Sequence, residues 1–330
     1  MLSIALKKLR CISLIFAGLQ MMLSCRPTPT TSTPTMQPLC DTTTGACALP
    51  ESNAHNAPHI TVKTITIDYF TDPICSSCWG FEPQLRRLKM QYGAMIDLRY
   101  CMGGLLPDWS YNSGGISKPS DVYGHWREVA LYYEMPIDGS VWLTDPLHSS
   151  YPPSIAFKAA QLQDKTKAMD LLRRLREMVF IENRNIAQWS VISEAAHAIG
   201  LDTTTLRHHY TTEAKAAFEA DLQYTRQNGV RGFPTLILRF PDGRTETLYG
   251  SKPYAMIAQA LQKGAPDLQP QTYPKHLSHL LTLYPTWTAK EVSVTLEIPV
   301  AQAEQQLRAS ATDGQLEETK IVNGSIWRKR

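Results

Sequence analysis

The chain has 330 residues, 43% of them hydrophobic, enough for one large domain or two ordinary ones with proper cores. Its net charge of +3 sits wholly in Lys7, Lys8 and Arg10. The rest is neutral, which removes any global electrostatic reason to expect a nucleic-acid partner.

The basic start leads into an apolar run over residues 12–23, too short and too interrupted by Ser13, Gly18 and Gln20 for a transmembrane helix. It ends in Met22-Leu23-Ser24-Cys25. This looks like a bacterial lipoprotein cleavage box, with Met22 where Leu is more usual. Residues 1–25 are therefore expected to be a lipoprotein-type signal with Cys25 lipidated, tying the protein to a membrane. A cleaved secretion signal and a retained anchor are the alternatives. All three put the body in the cell envelope or beyond, periplasmic or secreted, where disulfides persist. Residues 26–59, rich in Pro, Thr and Ser, cannot bury enough apolar surface to offset their ordering entropy and read as a flexible tether.

Cys40 and Cys47 lie on that tether. They suit a local disulfide, an auxiliary redox pair that reaches a second site, or metal capture.

From about residue 61, Ile65, Ile67 and Tyr69 alternate with polar residues as in a strand. Asp72-Pro73-Ile74-Cys75-Ser76-Ser77-Cys78 follows, then a helical stripe of Phe81, Leu85, Leu88 and Tyr92 stopped by Gly93. Pro83, in its first turns, is expected to bend it. Ile96, Leu98 and Tyr100 mark a second strand. Residues 120–228 are mostly helical, with amphipathic runs at 154–162, 168–181 and 190–199. Strands return at 235–240 and 245–249 around the turn Pro241-Asp242-Gly243-Arg244, and a helix runs from Tyr254 to about Lys263. This is an α/β order with a helical insertion at about 115–228 inside a domain spanning 60–265. Residues 271–330 read as three helices and a hairpin turning at Asn323-Gly324, a winged-helix-like module suited to docking or stabilisation. Winged helices often bind DNA, but behind an export signal that partner is out of reach.

Cys75 falls where a strand enters a helix. Unpaired N–H groups and the helix dipole there stabilise a thiolate, the attacking species in thiol–disulfide exchange. Cys78, one turn on, is placed to resolve the mixed disulfide. Asp72 acts in the opposite sense, since a carboxylate disfavours a second negative charge, and geometry decides between the two. A zinc site would need two more ligands at fitting spacing; Cys101 and scattered histidines do not supply them. Gly232-Phe233-Pro234-Thr235 puts a proline just ahead of a strand; alone this fits a trans proline at an edge-strand start, and with the cysteine pair upstream a cis bond is expected.

The stretch from Asp72 to Pro83, Ser149-Ser150-Tyr151-Pro152-Pro153, and Gly232-Phe233-Pro234-Thr235 occur in an order that resembles the DsbA family. Within it the similarity is to the FrnE-like branch and the relatives that include SpxH-type protease adaptors, over residues 61–264. The resemblance implies a thioredoxin fold with a helical insertion and a disulfide oxidase or isomerase activity. It gives Cys75 the nucleophile's role, Cys78 the resolving role and Pro234 the cis-proline role. Ser76-Ser77 replaces the Pro-His of well-known oxidases, removing a thiolate-stabilising histidine, so strong oxidising power does not follow.

Phe233 and Trp79 are candidates for client contact, with Phe81, Trp109 and Tyr111 as a possible apolar rim or as core. Cys101 reads as a buried free thiol and His208-His209 as a solvated helix end. The expected partners are proteins bearing thiols or disulfides and a redox partner of unknown identity; no cofactor and no metal is implied. A non-catalytic adaptor is the alternative function, and a metal chaperone using Cys40, Cys47, Cys75 and Cys78 a weaker one.

Overall fold

The computed structural model describes residues 65–110 and 116–330, and ahead of them only two short strands. The chain divides into two units, residues 1–61 and 62–330. In the first, β1 (Leu39–Cys40) and β2 (Cys47–Ala48) pair antiparallel, with Cys40 opposite Cys47 along the backbone. Cys25, the signal and the rest of the tether lie outside the described residues.

In the second unit β3 (Ile65–Thr71) is followed by α1 (Ser76–Tyr92) and β4 (Ile96–Met102), a parallel strand–helix–strand unit. β5 (Thr235–Arg239) joins the other edge of β3 antiparallel and turns into β6 (Thr245–Tyr249), so the sheet runs β4-β3-β5-β6. β3 is central and buried on both faces, which is why Ile67, Tyr69 and Phe70 all lose their exposure. Helix α9 (Tyr254–Gly264) closes the unit.

Between β4 and β5 the described residues form seven helices, α2 (Pro119–Tyr133), α3 (Val141–Thr144), α4 (Tyr151–Gln163), α5 (Lys165–Phe180), α6 (Trp189–Ala198), α7 (Thr203–Thr211) and α8 (Glu213–Gln227). This is a thioredoxin fold with a large helical insertion. α8 covers one face of the sheet, where Tyr224 closes on Phe70, Cys101 and Ile237. Gly80 lets α2 approach α1: a Cβ there would lie 2.4 Å from the Tyr133 ring.

The C-terminal residues form α10 (Leu277–Leu283), β7 (Thr286–Thr288), α11 (Ala289–Leu296), α12 (Val300–Thr312) and the hairpin β8 (Leu316–Ile321) with β9 (Gly324–Lys329). The sheet order is β7-β9-β8, around a core of Leu280, Trp287, Val292, Leu307 and Trp327. β7 was not visible in the sequence because three residues are too few to display alternation.

Buried charges fasten this module to α1 and α5. Glu291 pairs with Arg86 at 3.0 Å and Arg173 at 2.7 Å, and Arg328 reaches Glu177 at 2.8 Å. Arg86 also donates to the Thr286 carbonyl at 2.8 Å and lies 4.4 and 4.3 Å from the Tyr284 and Trp287 ring centroids. Among the described residues no helix is long and apolar enough to cross a membrane.

Candidate active site

β3 ends at Thr71, and Asp72-Pro73-Ile74 turns the chain into α1. Cys75 is the N-cap: its backbone is extended, φ −72° and ψ 108°, and its sulfur accepts from the Cys78 N–H at 3.3 Å. Its thiol faces the Phe233 carbonyl at 3.6 Å. The Phe233–Pro234 bond is cis. Residues 158 positions apart thus meet at one sulfur.

Cys75 opens on a cavity of about 560 Å³, whose walls include Gly103, Trp109, His125, Tyr151, Arg226 and Phe233. Cys78 lies beneath, fully buried. Phe233 owes its place to Gly103, where an added Cβ would fall 1.8 Å from the ring's Cζ.

The Asp72 carboxylate braces this wall. It accepts from Ile74 N at 3.0 Å, from Leu105 N at 2.8 Å and from Ser150 Oγ at 2.8 Å, tying the α1 entry, the loop after β4 and the start of α4 together. Burial pushes its pKa up to about 6 against those donors. Both Cys75 and Cys78 are free thiols. Burial raises the Cys75 thiol well above the ordinary value, and its hydrogen bond with Cys78 and the nearby Asp72 add to the rise. At Cys75 the N-cap position, which favours a thiolate, is opposed by burial and by the nearby Asp72. Cys78 moves the other way: burial opposes its ionisation, but the hydrogen bond with Cys75 and the charge of Arg176 bring it below the ordinary value.

Two expectations are corrected. Trp79 and Phe81 belong to the core and not to a client-binding rim: Trp79 is fully buried, stacks on Phe180 at 5.5 Å and donates to the Pro136 carbonyl at 2.9 Å. Its position one residue after Cys78 turns it away from the cavity. Phe233 and Trp109 do line the cavity, while Tyr111 lies outside the described residues.

Cys101 packs with Phe70 and Ile237, and burial pushes its thiol up to about 12. His208 and His209 stand in the last turn of α7, with His209 Nδ1 3.2 Å from Glu213. Cys75 and Cys78 gather no third metal-binding side chain among the described residues. Sequence reasoning missed Gly103, Ser150 as the partner of Asp72, and Arg176. The serines before Pro152 were a usable signal, since a hydroxyl ahead of a helix seeks a partner.

A cysteine pair at the mouth of α1, in direct approach to a cis-proline loop, marks the chain as a thioredoxin-fold protein. The chain belongs to the thioredoxin family, whose model, described as Thioredoxin, matches residues 69–259. It is 32% identical over 299 residues to the ClpXP adapter protein SpxH of Halalkalibacterium halodurans, covering 88% of this chain and 96% of that one. With the SpxH of Bacillus subtilis it shares 26% over 271 residues, covering 81% and 89%. Among solved structures it is similar to the cytosolic disulfide reductase DsbM of Pseudomonas aeruginosa, at 25% identity and a TM-score of 0.50, covering 60% of this chain and 99% of that one. A protein of Nitrosomonas europaea assigned as a disulfide isomerase shares the fold at 20% identity and a TM-score of 0.54, covering 61% and 97%.

Proposed function

We propose that this protein is a thiol–disulfide oxidoreductase that exchanges disulfides with client proteins through Cys75 and Cys78. The observation that carries this reading is the Cys75 sulfur at the cavity mouth, 3.6 Å from the carbonyl ahead of cis-Pro234. A client disulfide entering the cavity meets Cys75 first, and Cys78 is one helical turn behind it. The Phe233 N–H, without a hydrogen-bond partner among the described residues, is an open donor for an extended client backbone.

Insulin reduction and refolding of scrambled ribonuclease test it. Activity is expected in the wild type and lost in Cys75→Ala; equal activity in both removes the idea.

A second reading is favoured by the SpxH likeness over nearly the whole length of both chains. On it the protein is an adaptor, and client binding survives Cys75→Ala with Cys78→Ala. The proposal includes an envelope location through lipid at Cys25, supported by the sequence of residues 1–25. A fatty-acid probe that labels wild type and spares Cys25→Ala tests this part.

A further inference from the structure

The cavity beside Cys75 carries charge of one sign. The ionisable groups of its walls are Cys75, His125, Tyr151, Arg226 and Arg231, and none of them is a carboxylic acid. Residues 111–115, between the wall residues Trp109 and Ile116, contain no acid either. Asp72, Asp108 and Asp221 lie close by in the chain, but other groups hold them. Asp72 accepts from Ile74 N, Leu105 N and Ser150 Oγ, Asp108 accepts from Ser110 N at 2.7 Å, and Asp221 pairs with Lys158 at 3.0 Å. Beyond its first ten residues the chain is neutral, so this imbalance is local.

Arg226 stands in the last turn of α8, where a cation suits the helix dipole; Arg231 lies beyond the helix and has no such role. Both are exposed. On the neighbouring hairpin Arg239 holds Asp68 and Arg244 holds Asp242, whereas Arg226 and Arg231 hold no carboxylate among the described residues. The turn between them is fixed. Gly229, at φ +66°, donates to the Arg226 carbonyl at 3.0 Å, and the Val230 N–H donates to that of Thr225 at 3.1 Å. Arg231 is two residues ahead of Phe233, whose carbonyl is 3.6 Å from the Cys75 sulfur. Two residues span at most about 7 Å, so the loop that meets an incoming disulfide carries a guanidinium with no partner of its own.

We propose that Arg226 and Arg231 select client segments that carry an aspartate or glutamate within about two residues of the disulfide cysteine. The proposal rests on the oxidoreductase reading and names the client class of that same site. The occupant is a peptide: the open Phe233 N–H donates to a backbone carbonyl, Trp109 and Leu106 offer apolar wall, and the two guanidinium groups donate to a carboxylate on a neighbouring side chain. The exchange balances. The client S–S bond is reduced to two thiols, the Cys75–Cys78 pair is oxidised to a disulfide, and the pair's two protons pass to the client sulfurs.

The test uses the full chain and short peptide disulfides that differ only in a glutamate, glutamine or lysine next to the cysteine. Two measurements are made: kcat/KM for exchange with the reduced protein, and NMR titration with the same peptides bearing serine for cysteine, which reads binding without sulfur chemistry. An exposed ion pair is worth up to about fivefold, so two arginines favour the glutamate peptide over the glutamine one by about tenfold at low salt. The preference shrinks as salt rises from about 0.01 M to about 1 M and the Debye length falls from about 30 Å to about 3 Å. Arg226→Gln and Arg231→Gln each lower it. Arg226→Glu combined with Arg231→Glu turns it towards the lysine peptide, an inversion that loss of fold cannot produce. Equal binding of the three peptides, no binding of any, or a preference unchanged in the double variant overturns the proposal. Glutamate-selective binding in a protein that exchanges no peptide disulfide supports the recognition and removes the oxidoreductase reading instead.

Discussion

Glu291→Gln is expected to loosen the whole folded unit and not only its last sixty or so residues. The carboxylate is fully buried and receives Arg86 Nε at 3.0 Å, Arg173 Nη1 at 2.7 Å and Nη2 at 3.3 Å, and the Thr288 N–H at 2.8 Å. Removing one partner of a buried pair costs about 3–5 kcal/mol, because the other charge stays desolvated. The amide keeps one accepting oxygen, so the expected loss is at the lower end, about 3 kcal/mol. Against a typical stability of about 5–15 kcal/mol this is a large share. At about 2–4 °C per kcal/mol it lowers the thermal midpoint by about 6–12 °C. Urea unfolding followed by circular dichroism and by the summed tryptophan fluorescence, to which Trp287 under Arg86 contributes, measures it. The two probes should move together. A loss below about 1 kcal/mol refutes the reasoning, as would an early separate transition of the C-terminal module.

Gly103→Ala puts a Cβ where the Phe233 ring stands, 1.8 Å from its Cζ; the cis-proline loop must shift, and disulfide exchange should fall about tenfold or more with little change in melting. An unchanged rate in an insulin assay would show that Phe233 does not set the site. For Asp72 the folded pKa of about 6 lies above the ordinary 3.8, so the folded state holds this proton more firmly. Its contribution to stability falls as pH rises from about 4 to about 6, by about 3 kcal/mol in all. Asp72→Asn should remove that slope in urea midpoints taken across the window, and an identical slope in the variant would reject the assignment. Trp79→Ala should cost about 3–5 kcal/mol through its cavity and the lost bond to Pro136. A variant of wild-type stability that lost only client affinity would return Trp79 to the binding rim.

The strand–helix–strand unit, the hairpin at Pro241-Asp242-Gly243-Arg244 and the Cys75–Cys78 pair could all be read from the chain. Each depends on residues within a turn or two of one another: alternation for β3, a stop at Gly93 for α1, and a cysteine at a strand-to-helix junction. The proline at 234 is different: its place ahead of a strand alone favours a trans bond, and only the cysteine pair far upstream pointed to the cis bond the structure contains.

What the sequence could not state is which field each sulfur feels. Helix direction alone points to a thiolate on Cys75, but burial and the nearby Asp72 oppose it, and the Asp72 carbonyl is held by Arg176. Arg176 stands 94 positions from Glu82 and 105 from Thr71, so no local pattern places them together. Trp79 follows the same logic: an aromatic residue beside a reactive pair reads as rim or core until its neighbours are known, and Phe180 makes it core. Periodicity and turn chemistry are properties of adjacent residues, so the chain alone determined the elements and the location of the chemistry. Desolvation and charge act through space, so only the tertiary packing decided which groups oppose the helix N-terminus at Cys75.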